Sequence, residues 1–494
     1  MRIDQVALLP TYVAAGTAVL ALLADLLVPG RRGVVAGVTA LGMLGTIATA
    51  AAVGVGLDDG ARRTAFCLGP EQCSLVFDPA TAIVAGVFAA LALGALALSV
   101  PLLRTGEVPA GEYCFLLAAS MTGAVVLGGA RDLITLIVAL ETLTLPLYLL
   151  VGLRRGNRSG GSAAVTFFVV SVVSTAVALL GAALVFTATG GVHFADIAGA
   201  RVAPAAEPLL KVGVILLLTG LAFKVAAVPA HAWAPATYDG APLPVAAYLS
   251  TASKLGGVVA LLLVGVSAAR PVLATSGLTL AVLAVLSMTV GNLVALRQRR
   301  MVRLLAWSSV AQAGYLLAPL GALLAAGGRT GPAVELLVAA TLAYAFFYVV
   351  LEFSAFGALV AVRGAADGGE LADYRGLARR SPWLTAVLVI SLTGLAGLPP
   401  GLAGLFAKVA VVRSLLGGDA VWLAIVVALN AVIGLAYYVR AAAGLFGEAG
   451  EGSPDLVKQR VSWPVAAAVA AAAVVAVLVG LAPELVMRAA GTFS

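Results

Sequence analysis

The chain has 494 residues, of which 62% are hydrophobic and 11% charged, whereas about a quarter of a soluble domain is charged. That much apolar sequence exceeds what one soluble core can bury. A soluble enzyme, a disordered chain and a fibrous protein are excluded, which leaves a polytopic membrane protein, and the net charge of +7 belongs to loop arginines rather than to a nucleic-acid patch.

A membrane-crossing helix needs about 20 apolar residues. Fourteen such stretches are predicted, at 5–28, 34–57, 79–101, 113–130, 132–153, 162–187, 209–228, 243–267, 271–296, 303–325, 334–362, 382–417, 419–446 and 462–487. The expected fold is all-α and polytopic, with no hydrophilic segment long enough to form a soluble domain. The first span runs to PGRR with no A-x-A site after it, so it reads as a retained helix and not a cleaved signal. Asp25 stands close to that end and is expected to reach the interface. The loop TAFCLGPEQCSLVFD after the second span carries a Gly-Pro turn between Cys67 and Cys73 and predicts a hairpin. A disulfide and two free, buried thiols both fit this loop. Cys114 is the third cysteine, and the two histidines, His193 and His231, lie far apart. Without a CxxC pair, an HExxH, or a GxGxxG between strand and helix, no cofactor or metal is expected on this chain.

Charges inside the spans are few. Glu141 lies near the middle of the fifth, LITLIVALETLTLPLYLLVGL. A charge at bilayer depth costs at least about 2.5–3.5 kcal/mol and normally faces a partner in the bundle. The seventh span supplies one in Lys224, five residues before Pro229, with His231 just beyond and a second break at Pro235. Glu141 and Lys224 are expected to pair, either as a static buried ion pair or as a pair that passes a proton onward. Capping or core packing suits His231 as well as a proton relay does. Lys254 lies on the eighth span in AAYLSTASKLGG, beside Ser250, Thr251 and Ser253. Those hydroxyls either hold relay water or bond the preceding carbonyls, the commoner role. Glu352, on the eleventh span, is a carboxylate at membrane depth and an expected partner for Lys408. Lys408 follows Pro399 and Pro400 on the twelfth span. Of the five lysines, three fall inside spans and no arginine sits so deep. Lysine sheds its proton when its environment demands it, whereas arginine does not.

The two proline-broken spans are preceded by similar phrases, LLLTGLA and ISLTGLAGL. They lie five helices apart, so the units that contain them run in opposite directions. Two matched breaks, each near a membrane-embedded lysine, favour inverted repeats around a transport path over ordinary kinks. The repeats are placed at 113–267 and 271–446, flanked by segments 1–101 and 462–494. Seventeen loop cations lie on the side of the odd-numbered connections and ten on the other. The positive-inside rule therefore puts both termini, Cys67 and Cys73 outside.

GLAFKVAAVPAHAWAPATYDGAPLPVAAYLSTASK, NLVALRQRRMVRLLAWSSVAQAGYLL, DYRGLARRSPWL and LAGLPPGLAGLFAKV together resemble the subunit N family of bacterial NADH-quinone oxidoreductase, respiratory complex I. The resemblance runs from about the fourth span to the thirteenth. It implies an antiporter-like, proton-pumping subunit of the membrane arm in a bacterial plasma membrane. Partners implied are the antiporter-like subunit M, small membrane subunits such as K and J, and the lipid bilayer. NADH, FMN, Fe–S clusters and quinone are implied on other subunits. By motif, Glu141, Lys224, Lys254 and Lys408 match the family's glutamate and lysines on helices 5, 7, 8 and 12. Two positions depart from the pattern: Thr166 stands where the family usually has lysine, and Gln312 where it commonly has histidine. Neither titrates near neutral pH. The alternatives carried beside this reading are a subunit of a multisubunit cation/proton antiporter and a non-pumping scaffold of the membrane arm.

Overall fold

The computed structural model describes residues 3–57, 61–69, 72–448 and 461–492. Arg2, Lys458 and Arg460, which enter the charge count above, lie outside the described residues. The chain is an all-α polytopic membrane protein. Among the described residues, twelve helices are long and apolar enough to cross a membrane. They include α1 (Leu9–Leu27), α2 (Arg32–Val55), α3 (Pro79–Leu98), α4 (Ala110–Gly129), α5 (Leu133–Gly152) and α6 (Arg158–Thr189). Lipid offers no hydrogen bonds to a backbone, so spans of this composition satisfy their N–H and C=O groups within the helix. The seventh predicted span is broken: α7 (Glu207–Ala222) passes into a 3-10 turn at Phe223–Val225, and a short helix α8 (Trp233–Gly240) follows. The eighth span is Leu243–Ala268, and the ninth is Arg270–Ala295. Then come α9 (Met301–Gly321) and α10 (Gly331–Arg363). The twelfth position is again two helices, α11 (Pro382–Ala396) and α12 (Leu402–Gly417). α13 (Val421–Gly444) and α14 (Trp463–Leu481) come next, followed by a nine-residue helix, Pro483–Gly491. The fourteen predicted positions are all helical once α9 and the α11–α12 pair are included.

Two compact units emerge. The first comprises residues 1–96, 106–224 and 252–279, and the second 97–105, 225–251 and 280–494. In the first, α6 and α7 pack along their length because Gly220 has no side chain. A Cβ there would meet the Ala178 nitrogen at 2.6 Å and the Ser174 carbonyl at 2.7 Å. Small residues of this kind let membrane helices approach closely. Asp132 caps α5, its carboxylate accepting from the Thr135 amide at 2.7 Å. The expected hairpin is present as β1 (Arg63–Cys67) and β2 (Cys73–Phe77), antiparallel, with Cys67 opposite Cys73. Those two cysteines are joined in a disulfide, and Cys114 is a buried thiol.

In the second unit, α10 is the longest helix, with 33 residues, which at 1.5 Å per residue is about 50 Å. It packs against α11, α12 and α14, and its buried face carries Tyr344, Tyr348 and Glu352. Loops at the α9 end of this unit are tied by ions outside the apolar spans. Arg300 holds Asp239 at 2.9 Å and Asp367 at 3.0 Å.

Candidate functional site

The membrane-embedded charges form separate sites within the two units. In the first, α7 ends at Ala222, and Lys224 sits on the 3-10 turn that follows. Because Gly220 seats α7 on α6, the Lys224 side chain enters the space between α5 and α6. Its ammonium donates to Glu141 Oε1 at 2.8 Å, Thr144 Oγ1 at 2.9 Å and Ser171 Oγ at 3.4 Å. An ammonium has three N–H donors and no acceptor, so all three are used. Glu141 Oε1 also accepts from the Thr175 hydroxyl at 2.7 Å. Tyr148 closes the cluster, donating to Thr144 Oγ1 at 3.3 Å and making a close hydrogen bond with Ser171. Lys224 is buried, whereas the Glu141 side chain is 31% exposed in this chain. The carboxylate is therefore the member of the pair that faces outward from its unit.

The expected Glu141–Lys224 pair is thus present. Thr144 stands three residues beyond Glu141 on the same helix face, and Ser171 and Thr175 lie one turn apart on α6. That hydroxyl spacing was the available sequence signal for the rest of the cluster. Thr166 takes no part in it; its hydroxyl donates to the Ser162 carbonyl.

Lys254 is buried where a π-helical stretch, Leu249–Ser253, gives way to α-helix. A second π-helical stretch, Leu263–Ala268, follows nine residues of α-helix. Such bulges in otherwise regular helices recur at functional sites. Of the hydroxyls beside Lys254, Ser250 and Thr251 take the commoner role and bond the Ala247 carbonyl, at 3.0 and 2.6 Å. His231 lies in the break after Pro229, partly exposed, with Nδ1 3.2 Å from the Pro229 carbonyl and its ring 5.4 Å from that of Trp307.

In the second unit the arrangement around Lys408 corrects the sequence expectation. No ion pair joins Lys408 to Glu352 among the described residues. The Lys408 ammonium instead donates to the carbonyls of Leu395 and Ala396, the last residues of α11. A helix leaves its final carbonyls without intrahelical donors, and the dipole makes that end attractive to a cation. Gly397 ends α11 with φ +85°, a left-handed conformation that favours glycine. A Cβ at Gly397 would also stand 2.9 Å from Lys408 Cδ, so a larger residue there would displace the lysine side chain. The ammonium additionally lies 5.3 Å from the Tyr315 ring centroid, within cation–π range. Glu352 is fully buried on α10, within electrostatic reach of Tyr238, Tyr348 and Tyr438.

The chain can be set beside known proteins. Residues 130–434 match the family described as NADH:quinone oxidoreductase/Mrp antiporter, transmembrane. It is 60% identical to an "NADH-quinone oxidoreductase subunit N" of Salinispora tropica, covering 98% of both chains. It is similar to a chain of respiratory complex I from Thermus thermophilus at 30% identity and TM-score 0.77, covering 97% of this chain and 98% of the other. It also shares the fold of a chain of the Mrp complex from a Dietzia species, at TM-score 0.85 and 22% identity, over 99% and 97% of the two chains. With the family's region covering both lysine-bearing helix breaks and a subunit N relative matched from end to end, the chain belongs to the NADH-quinone oxidoreductase subunit N family, within the NADH:quinone oxidoreductase/Mrp antiporter group.

Proposed function

We propose that this chain is an antiporter-like, proton-translocating subunit of the membrane arm of an NADH-quinone oxidoreductase. It carries no redox step itself. The observation that carries the mechanism is the hydrogen-bonded Glu141–Lys224 pair at the end of a broken helix, 2.8 Å apart. A carboxylate in contact with an ammonium favours the charged form of each. Protonating Glu141 removes that support, so the Lys224 ammonium can pass a proton to the next acceptor. Thr144, Ser171 and Tyr148 supply oxygens that hold the ammonium while its charge state changes. Lys254 and Lys408 are the further lysines of the path, with Glu352 as a buried carboxylate and His231, at the first break, as a further proton-transfer group. Two inverted repeats, 113–267 and 271–446, would contribute one broken helix each.

Quinone reduction on other subunits would bias these protonation states and drive protons from cytoplasm to exterior. NADH, FMN, Fe–S clusters and quinone belong to those subunits. Subunit M and the small membrane subunits K and J are the proposed neighbours, in a bacterial plasma membrane with both termini outside. The likeness to the Mrp chain at 22% identity speaks for the fold alone, so it does not favour the cation/proton antiporter reading.

Purification of the native assembly tests the proposal. Recovery of this chain with flavin- and Fe–S-bearing subunits, and NADH-driven proton uptake into inverted vesicles, is the expected result. Isolation with antiporter subunits only would replace it with the antiporter reading. The same preparation tests orientation: a thiol label applied from outside after mild reduction should reach Cys67 and Cys73. Labelling only from the cytoplasmic side would invert the topology.

A further inference from the structure

Gln312, on α9, is buried, with both N–H groups and its oxygen engaged. Its Nε2 donates to the Leu395 carbonyl at 3.1 Å and to the Tyr438 hydroxyl at 3.0 Å. Its Oε1 accepts from the Tyr344 hydroxyl. One amide thereby joins α9, α10, the end of α11 and α13. Two of these links lead to Lys408. The Leu395 carbonyl that Gln312 holds is the one that also accepts from the Lys408 ammonium, at 3.3 Å. The Tyr344 ring that Gln312 fixes stacks on Tyr315, with centroids 6.0 Å apart, and Tyr315 presents its face to the same ammonium at 5.3 Å.

An amide is a poor member of a proton chain. It neither titrates near neutral pH nor exchanges donor for acceptor without becoming its imidic tautomer. With both N–H groups and the oxygen engaged, it has fixed direction: hydrogen bonds run into Oε1 and out of Nε2. What such a group does well is hold geometry, because a fully satisfied buried network rigidifies its members.

We propose that Gln312 is a positioning residue for Lys408: it sets the Leu395 carbonyl and, through Tyr344, the Tyr315 ring, and so fixes the ammonium at the α11 terminus without carrying a proton itself. The proposal rests on the proton-translocating reading given above. A proton bound for Lys408 then passes beside Gln312 and not through it. Ser308 and Tyr438, hydrogen-bonded at 2.6 Å, offer hydroxyls that reverse donor and acceptor freely.

The test compares Gln312→Met, Gln312→His and Lys408→Ala in the assembled complex. It reads protons translocated per electron, quinone reduction and the amount of this subunit. Gln312→Met keeps length and removes all three hydrogen bonds. It should lower proton yield to the level of Lys408→Ala while quinone reduction and subunit content hold. Gln312→His restores one ring N–H donor and should recover most of the yield, and its profile against pH should gain a titration step that the wild type lacks. Wild-type yield in Gln312→Met beside a loss in Lys408→Ala overturns the positioning role alone. Wild-type yield in both overturns the pumping reading beneath it. Should Gln312→Met fail to assemble, Gln312→Leu removes the same three hydrogen bonds with a branched side chain, and the same loss is expected. Failure of both variants to assemble would also overturn the proposal, because Gln312 would then be holding the fold and not the ammonium.

Discussion

Two lysines stand at two helix breaks in this chain, and their ammonium groups are held in different ways. Lys224 comes at the end of the first half of its broken span and meets a carboxylate and two hydroxyls, all on side chains. Lys408 comes in the second half of its span and reaches back to backbone carbonyls at the end of the first half. A carboxylate can be switched off by a proton; a peptide carbonyl cannot. On the proposed function, the first site responds to a proton arriving at its carboxylate partner. The second holds a cation between carbonyl dipoles and an aromatic face, so on the proposed function its response comes through movement of those groups or through arrival of charge from elsewhere. The same residue type at two helix breaks thus stands in two different electrostatic surroundings.

The largest effect is expected at Lys408. Lys408→Ala takes the ammonium from the Ala396 carbonyl and leaves the Leu395 carbonyl with Gln312 as its side-chain donor; on the proposed function it also removes the proton that is passed on. Lys408→Arg keeps a cation for the same carbonyls, but the guanidinium holds its proton under all working conditions. Both should abolish the proton yield that this subunit contributes, with subunit content better kept in the arginine variant. Full yield with arginine would reduce Lys408 to a countercharge for the helix end. Glu352→Gln should leave the placing of Lys408 unchanged, since no ion pair joins them among the described residues.

A smaller but clearer gradation is expected at Glu141. Glu141→Gln keeps the shape and removes the titrating charge, while Glu141→Asp keeps an acid one methylene shorter. Removing one partner from a buried ion pair costs about 3–5 kcal/mol, and the outward-facing carboxylate and the two remaining hydroxyls place this site toward the low end. Subunit content should fall modestly in the glutamine variant, and proton yield should fall further than content. Aspartate should give an intermediate yield. Equal yields in all three, per assembled subunit, would show that the pair is static.

These sites also mark how far the sequence could be read. The fold was legible because lipid imposes apolar length, so each span announces itself, and because Pro229 and Pro399–Pro400 interrupt otherwise continuous patterns. The Glu141–Lys224 pair was legible because two opposite charges at bilayer depth have few other ways to be satisfied. Thr144, Ser171 and Thr175 were weaker signals: hydroxyls in helices usually bond their own backbone, as Ser250 and Thr251 do. The partner of Lys408 was not legible. It is a pair of carbonyls, and every residue has one; only Gly397 and the Pro-Pro sequence hinted that a helix would end there. Glu352 stood at a comparable depth and charge, and sequence depth alone does not say which way a side chain faces. Gln312 was visible only as a departure from a family pattern, and its geometry supplies the reason it matters.

The smallest effect is expected where the same charges meet water. Asp367, outside the spans, accepts from Arg300 at 3.0 Å and from Arg363 at 2.8 Å. Partial burial pushes its carboxyl up, but the hydrogen bonds and positive charge of the two arginines outweigh this and hold it below its ordinary value of 3.8. A carboxyl held low stabilises the folded loop fully above its ordinary value, and the contribution disappears as pH falls through the lowered one. Across neutral pH the network is therefore constant. Its worth is limited by solvent, because the Asp367 side chain is 56% exposed, and exposed pairs contribute about 0–1 kcal/mol, less as salt rises. Asp367→Asn should slightly raise amide hydrogen exchange across residues 363–375 at neutral pH and leave proton yield unchanged. The difference from wild type should shrink with added salt and close at strongly acid pH. Loss of pumping in Asp367→Asn would mean that this aqueous network belongs to the proton path, and the contrast between ion pairs inside and outside the membrane would no longer hold.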